Sequence, residues 1–125
     1  MNKKQQPVNL ALTTINFSPM AIASIFHRLS GIFIFLLIPF LLSALACSLK
    51  SSESFGQLTT WLAQPPIKLI IWIFLTALFY HLVAGIRHMV MDCGIAETLP
   101  IAKYSAIAVI VLGFIWAVFW GVWLW

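Results

Sequence analysis

Three long stretches of almost uninterrupted hydrophobic residues dominate the pattern of this chain. They cover residues about 23–49, 67–91 and 103–125. Each exceeds the roughly 20 residues with which an α-helix crosses a bilayer. Pro65 and Pro66 precede the second stretch, while Gly94 and Pro100 bracket the turn into the third, which suits helix boundaries. The pattern predicts an all-α integral membrane bundle of three transmembrane helices.

The composition agrees with a membrane environment, since 62% of the 125 residues are hydrophobic and only 8% are charged. The segment 1–19 differs from the rest, being polar and mixed, and its Pro7 and Pro19 limit helix formation. We therefore expect one transmembrane domain, 1–125, that begins with a short arm. Little of the chain remains to build an aqueous core, so a soluble catalytic centre would have to come from a partner.

Lysine and arginine predict the orientation of the helices, because cytoplasmic ends and short loops carry the excess of positive charge. Five of these residues fall on the N-terminal side of the predicted bundle: Lys3, Lys4, Arg28, Arg87 and Lys103. Lys50 and Lys68 fall on the other side. The N terminus is therefore predicted to be cytoplasmic. The net charge of +4 reflects this topology, and no basic face or aromatic pattern indicates a nucleic-acid partner.

A polar stripe in the second span carries the most informative chemistry: His81, Gly85, His88 and Asp92. Their offsets of four, seven and eleven residues return to one helical face, and the two histidines lie roughly 10 Å apart along the axis. That spacing suits a porphyrin standing on edge, with Gly85 allowing a flat ligand close to the backbone. His81 is the candidate ligand of the haem iron. The alternative is that His81 forms a hydrogen bond across helices to a serine or a carbonyl.

A second polar group lies near the start of the first span, where four residues share one face: Ser24, His27, Arg28 and Gly31. Ser24 and Arg28, one turn apart, could donate hydrogen bonds to a quinone carbonyl. In the alternative interpretation, Arg28 extends to the lipid headgroups and His27 lies in the wet boundary. Arg87 is expected to point away from the His81 face, towards headgroups, a partner or Asp92.

Depth in the membrane limits how one haem could be shared. His81 is expected about 15 Å from the cytoplasmic boundary, whereas His27 and His88 are expected within about one turn of it and level with each other. His81 and His27 should then not ligate the same iron, so the second axial ligand should come from another chain. The anionic propionates would point towards the cytoplasm and meet His27, Arg28 and His88.

Taken together, these motifs resemble the cytochrome b membrane-anchor subunit of bacterial succinate dehydrogenase, respiratory complex II. The resemblance covers essentially the whole chain and rests on three segments: Pro7-Val8, Ser24-x-x-His27-Arg28-x-Ser30-Gly31 and His81-x-x-x-Gly85-Ile86-Arg87-His88-x-x-Met91-Asp92-x-Gly94. The family usually has a basic residue before the first proline, where this chain has Gln6.

The resemblance implies a role for each matching residue. His81 would be one axial ligand of haem b, with the other supplied by a second membrane-anchor subunit, and His27, Arg28 and His88 would lie near the propionates. Ser24 and Arg28 would line the ubiquinone site. Electrons from succinate would arrive through a flavoprotein subunit with FAD and an iron–sulfur subunit with its clusters. The expected location is the bacterial inner membrane.

Two alternatives remain open at this stage. A quinol:fumarate reductase anchor would use a similar architecture in the reverse direction, which depends on the reduction potentials of clusters in other chains. A non-redox membrane scaffold or small transporter subunit would use the polar residues only to join helices.

Overall fold

The computed structural model describes residues 17–125, which contain four helices. They are α1 (Pro19–Ser48), α2 (Ser52–Leu62), α3 (Pro65–Asp92) and α4 (Leu99–Leu124). The predicted arm 1–19 lies almost entirely outside the described residues. The fold class is therefore all-α over the part of the chain that the structure describes.

Helices α1, α3 and α4 are each long and apolar enough to cross a membrane, which confirms the three predicted spans. Each helix begins a few residues earlier than the hydrophobic pattern indicated, with a proline in its first turn. Proline is favoured there because the first turn has no intrahelical partner for its N–H group. At the start of α1, the Ser18 side chain also accepts a hydrogen bond from the Ala21 N–H at 3.3 Å.

Helix α2 was not predicted, since residues 51–66 were expected to form a loop. Ser51 caps this helix by accepting a hydrogen bond from the Ser54 N–H at 3.1 Å, and Glu53 lies in the first turn, where the helix dipole favours a negative charge. The apolar side chains Leu58 and Trp61 line a cavity of about 500 Å³ between α1, α2 and α3. The prediction of a loop was wrong because α2 buries only one face of a largely polar sequence.

Helix α3 packs against both α1 and α4, and small residues allow the helices to approach closely. The buried residues of α4 recur every three or four positions: Ala102, Ala106, Val109 and Gly113. In contrast, large apolar side chains elsewhere are highly exposed, with Phe35 and Phe40 both 70% accessible. This distribution fits a chain surrounded by hydrocarbon or by other membrane subunits.

Tyr80 lies at the centre of the bundle and contacts all three spanning helices. Its hydroxyl donates a hydrogen bond to the Ala23 carbonyl of α1 at 3.0 Å, and its ring packs edge-on against Phe26 at 6.1 Å between centroids. On the other side the ring lies against Gly113 of α4. Tyr80 therefore joins the two helices that flank α3.

Indole groups join α3 to α4 at the end of the bundle where α4 terminates. The Trp72 N–H donates to the Ala117 carbonyl at 2.7 Å, and the Trp116 N–H donates to the Leu75 carbonyl at 3.3 Å. The remaining tryptophans at the end of the helix are exposed: Trp123 and Trp125. The predicted aromatic belt at the membrane interface thus divides into an inner packing group and an outer exposed pair.

The turn between α3 and α4 contains two residues in the left-handed region, Gly94 with φ 76° and Ala96 with φ 65°. Glycine adopts this conformation readily, whereas a side chain makes it unfavourable by roughly 1–2 kcal/mol. Cys93 in this turn and Cys47 near the end of α1 are free thiols, as expected from their positions at opposite ends of the bundle.

Candidate functional site

The structure brings the three histidines of the chain together between α1 and α3. The His27 ring stacks on the His81 ring with 4.2 Å between centroids and 16° between planes. The His27 ring also lies 5.1 Å from the His88 ring. The expectation that His27 is level with His88 and separate from His81 was therefore wrong, because His27 contacts both.

The length of α1 explains this difference. Because α1 begins at Pro19, His27 lies eight residues from the helix start, or about 12 Å along the axis. On α3, which ends at Asp92, His88 lies about 6 Å from the helix end and His81 about 16 Å. His27 is thus at an intermediate depth between the two histidines of α3.

The imidazole of His81 is fixed against α1 by its Nδ1 atom. Nδ1 lies 3.0 Å from the His27 carbonyl oxygen and 3.2 Å from the Ser30 hydroxyl oxygen. A carbonyl oxygen only accepts hydrogen bonds, so this contact assigns the ring proton to Nδ1 and leaves a lone pair on Nε2. The alternative of a hydrogen bond across helices is thus present in the structure, but it uses only one of the two ring nitrogens.

Gly31 provides the space in which the His81 ring lies. A Cβ atom at Gly31 would be 2.8 Å from Cε1 and 3.3 Å from Nδ1 of His81. The first distance is far shorter than the roughly 3.5–4.0 Å at which two carbon atoms pack. Sequence reasoning placed Gly31 on the polar face of α1 but gave it no contact with His81.

A second ring nitrogen in the site is buried without a hydrogen-bond partner among the described residues. This atom is Nε2 of His27, and a Cβ at Gly85 would be 3.5 Å away from it. The bare backbone of Gly85, expected to admit a flat ligand, therefore faces His27 in this structure. An unpaired buried polar atom costs about 1–3 kcal/mol, so the site favours a further polar group beside His27.

Ser24 and Arg28 lie one turn apart on α1, at the end of the bundle that carries the histidines. Ser24 is half-buried, and Arg28 is exposed on the surface of the chain. An exposed guanidinium can bind an anion or a carbonyl oxygen of a ligand, a lipid or a partner. The geometry therefore permits both interpretations of Arg28, as a quinone donor and as a headgroup anchor.

Arg87 does not bind any of the partners expected from the sequence. Its Nε atom donates to the Ser105 hydroxyl at 2.9 Å, and its Nη2 atom donates to the Ala102 carbonyl at 3.0 Å. The expectation of a headgroup, a partner or Asp92 was therefore wrong, since Arg87 joins the end of α3 to the start of α4. Asp92 is the last residue of α3 and is exposed.

Comparison with known proteins gives one family and two named relatives. The family described as "Succinate dehydrogenase/Fumarate reductase transmembrane subunit" matches residues 2–120. The chain is 48% identical, over 126 residues and the full length of both chains, to the "Succinate dehydrogenase cytochrome b556 subunit" of Coxiella burnetii (strain RSA 493 / Nine Mile phase I). It is also 32% identical over 100 residues, 71% of each chain, to the "Succinate dehydrogenase cytochrome b560 subunit" of Cyanidium caldarium.

Proposed function

Because this chain belongs to the succinate dehydrogenase/fumarate reductase transmembrane subunit family, we propose that it is the cytochrome b anchor of a succinate dehydrogenase. In this role it ligates haem b and contributes part of the site where ubiquinone is reduced. The chain is a subunit of an oxidoreductase complex and does not catalyse the reaction by itself.

The observation that carries the haem proposal is the state of His81. Its Nδ1–H is engaged by α1, and its Nε2 retains a lone pair, which is the arrangement that a metal-ligating histidine needs. In this proposal Nε2 of His81 is one axial ligand of the haem iron. The haem supplies one-electron transfer, and its second axial ligand comes from a second membrane-anchor subunit.

The neighbouring cationic and imidazole groups fit the acidic edge of a haem. Nε2 of His27 is buried and unpaired beside the ring of His81, so it can donate a hydrogen bond to a propionate. His88 lies on the far side of His27, and Arg28 follows His27 in the chain. These three residues would neutralise and position the propionates.

The quinone proposal rests on Ser24 and Arg28. The Ser24 hydroxyl and the Arg28 guanidinium would donate hydrogen bonds to a carbonyl oxygen of ubiquinone, and the fixed positive charge would favour the anionic reduced forms of the quinone. Residues of the partner subunits would complete the site, which agrees with the exposure of Arg28 on the isolated chain.

The remaining assembly follows from this assignment. Electrons from succinate would reach the quinone through a flavoprotein subunit that holds FAD and an iron–sulfur subunit that holds the clusters. Both subunits would dock on the end of the bundle that carries Ser24 and Arg28. We propose that this end is cytoplasmic and that the membrane is the bacterial inner membrane, in accordance with the positive charges at that end.

A quinol:fumarate reductase anchor is the second candidate, because the matching family includes both complexes in its description. The two relatives are both named as succinate dehydrogenase subunits, which favours the first direction. A non-redox scaffold has no comparable support from these relatives.

The proposal is tested on the purified complex by a dithionite-reduced minus air-oxidised optical spectrum and by two activity assays. His81→Ala should remove or shift the b-type haem bands. Arg28→Ala should impair succinate-dependent reduction of ubiquinone while sparing the reduction of a soluble dye that bypasses the quinone site. Lys103→Ala is the matched control, since Lys103 is an exposed basic residue at the same end of the bundle.

Haem bands that are unchanged in His81→Ala would remove His81 from the ligands. Equal loss of quinone and dye reduction in Arg28→Ala would indicate an assembly defect and would remove the quinone assignment. A wild-type complex without haem bands would overturn the cytochrome b assignment itself.

A further inference from the structure

The contacts of His81 with α1 go beyond the ligand assignment, because they come from two residues with no assigned role, Ser30 and Gly31. We propose that Ser30 and Gly31 are positioning residues that set the tautomer and the ring orientation of His81, and thereby tune the haem that His81 ligates. This inference rests on the proposed haem site. It differs from that proposal in assigning control of the iron ligand to helix α1.

The hydrogen-bond inventory identifies the role of Ser30. The Ser30 hydroxyl donates to the His27 carbonyl at 2.8 Å, so its proton is already used. A lone pair of the same oxygen then faces Nδ1 of His81 at 3.2 Å, where it can only accept. The Nδ1–H of His81 is therefore shared between two acceptors of α1, the Ser30 hydroxyl and the His27 carbonyl.

This shared bond affects the nitrogen on the opposite side of the ring. A histidine whose N–H is held by an acceptor becomes a stronger electron donor through its other nitrogen. Ser30 is 8% exposed, so water does not readily replace its hydroxyl. Loss of this acceptor should weaken electron donation to the iron, destabilise the oxidised haem relative to the reduced haem, and raise the midpoint potential.

Steric fit identifies the role of Gly31. The Cβ that would lie 2.8 Å from Cε1 of His81 belongs to a helix backbone, so it cannot move away as a flexible side chain would. The imidazole would have to tilt, and tilting would disturb its Nδ1 contacts with α1. An alanine at this position should therefore change the orientation of the ligand ring without removing any ligand atom.

The experiment compares five complexes purified with all subunits: wild type, Gly31→Ala, Ser30→Ala, Ser30→Thr and Gly121→Ala. Gly121→Ala is the matched control, because a Cβ there meets its nearest atom at 3.5 Å, which is ordinary packing, and lies far from the histidines. Ser30→Thr keeps the hydroxyl, and its added methyl can enter the cavity of about 460 Å³ that Ser30 lines.

The measurements are the haem content per flavin, the low-temperature EPR spectrum of the oxidised haem and a potentiometric titration. We expect Gly31→Ala to shift the EPR g-values or to lose haem. Ser30→Ala should raise the midpoint potential, while Ser30→Thr should restore it towards that of wild type. Gly121→Ala should match wild type in all three measurements.

Failure of this inference is distinguishable from failure of the proposed function. If wild type contains haem that His81→Ala loses, but Gly31→Ala and Ser30→Ala match Gly121→Ala, the positioning role is overturned and the ligand assignment stands. If Gly31→Ala does not assemble, the Ser30 pair decides the question, because equal potentials in Ser30→Ala and Ser30→Thr would overturn the inference.

Discussion

Gly113 lies where α4 comes closest to the ring of Tyr80, and the effect of an added methyl group there can be worked out from the structure. A Cβ at Gly113 would be 2.8 Å from Cδ2 of Tyr80. The ring cannot easily withdraw, because its hydroxyl is bound to the Ala23 carbonyl and its edge meets Phe26. Gly113→Ala should therefore overpack the core, at a cost of about 1–3 kcal/mol.

Alanine also favours a helix over glycine by about 1 kcal/mol, which partly offsets this cost. Gly121→Ala in the same helix gains the same propensity, but its Cβ meets the Trp72 indole at an ordinary 3.5 Å. The difference between the two variants therefore isolates the steric contribution. We expect Gly113→Ala to be less stable than Gly121→Ala by about 1–3 kcal/mol.

The assay is unfolding of the chain in mixed detergent–SDS micelles, followed by tryptophan fluorescence and analysed as a double-mutant cycle. In a Tyr80→Ala background the clash is absent, so Gly113→Ala should there lose most of its cost, with a coupling of about 0.5–3 kcal/mol. Equal stability of Gly113→Ala and Gly121→Ala, or an unchanged cost in the Tyr80→Ala background, would refute the reasoning.

Two further predictions concern the junction of α3 and α4 and use the same unfolding assay. Ala96→Gly should stabilise the chain by about 0–1 kcal/mol, because φ 65° disfavours a side chain by roughly 1–2 kcal/mol while glycine adds about 0.4–1 kcal/mol of unfolded-state entropy; a loss of stability would contradict the left-handed assignment. Arg87→Gln should destabilise by about 1–3 kcal/mol through loss of the bonds to Ser105 and Ala102. Arg87→Lys should recover only part of this loss, since an ammonium cannot reproduce the planar fork, and wild-type stability of Arg87→Lys would count against the two-point contact.

The transmembrane helices were predictable because hydrophobic length is a strong signal, and only their first residues were misplaced. The proline and cap at the start of α1 were visible in the sequence, as Ser18-Pro19, but the apolar pattern begins later than the cap. Helix α2 had a similar signal in Ser51 and Glu53, yet it was missed because a short amphipathic helix lacks the hydrophobic length on which the other predictions relied.

The candidate site was predictable in its membership but not in its contacts. Periodicity places His81 and His88 on one face of α3, and motif order brings His27 to the same end of the bundle. The stacking of His27 on His81 depends on where α1 begins and on how α1 crosses α3, and neither is encoded in local spacing. The role of Gly31 could not be inferred for the same reason, since an absent side chain acts only through its neighbour.

The bonds between α3 and α4 have a consequence for how the chain assembles in the membrane. Trp72 and Trp116 join these helices at one end, and Arg87 joins them at the other, so they form a hairpin fastened along its length. Helix α1 is synthesised first, but its serine and carbonyl acceptors gain the Nδ1 proton of His81 only when the hairpin docks against it. Completion of the bundle and completion of the iron-ligand geometry are thus one event, and haem insertion becomes a checkpoint for correct helix assembly.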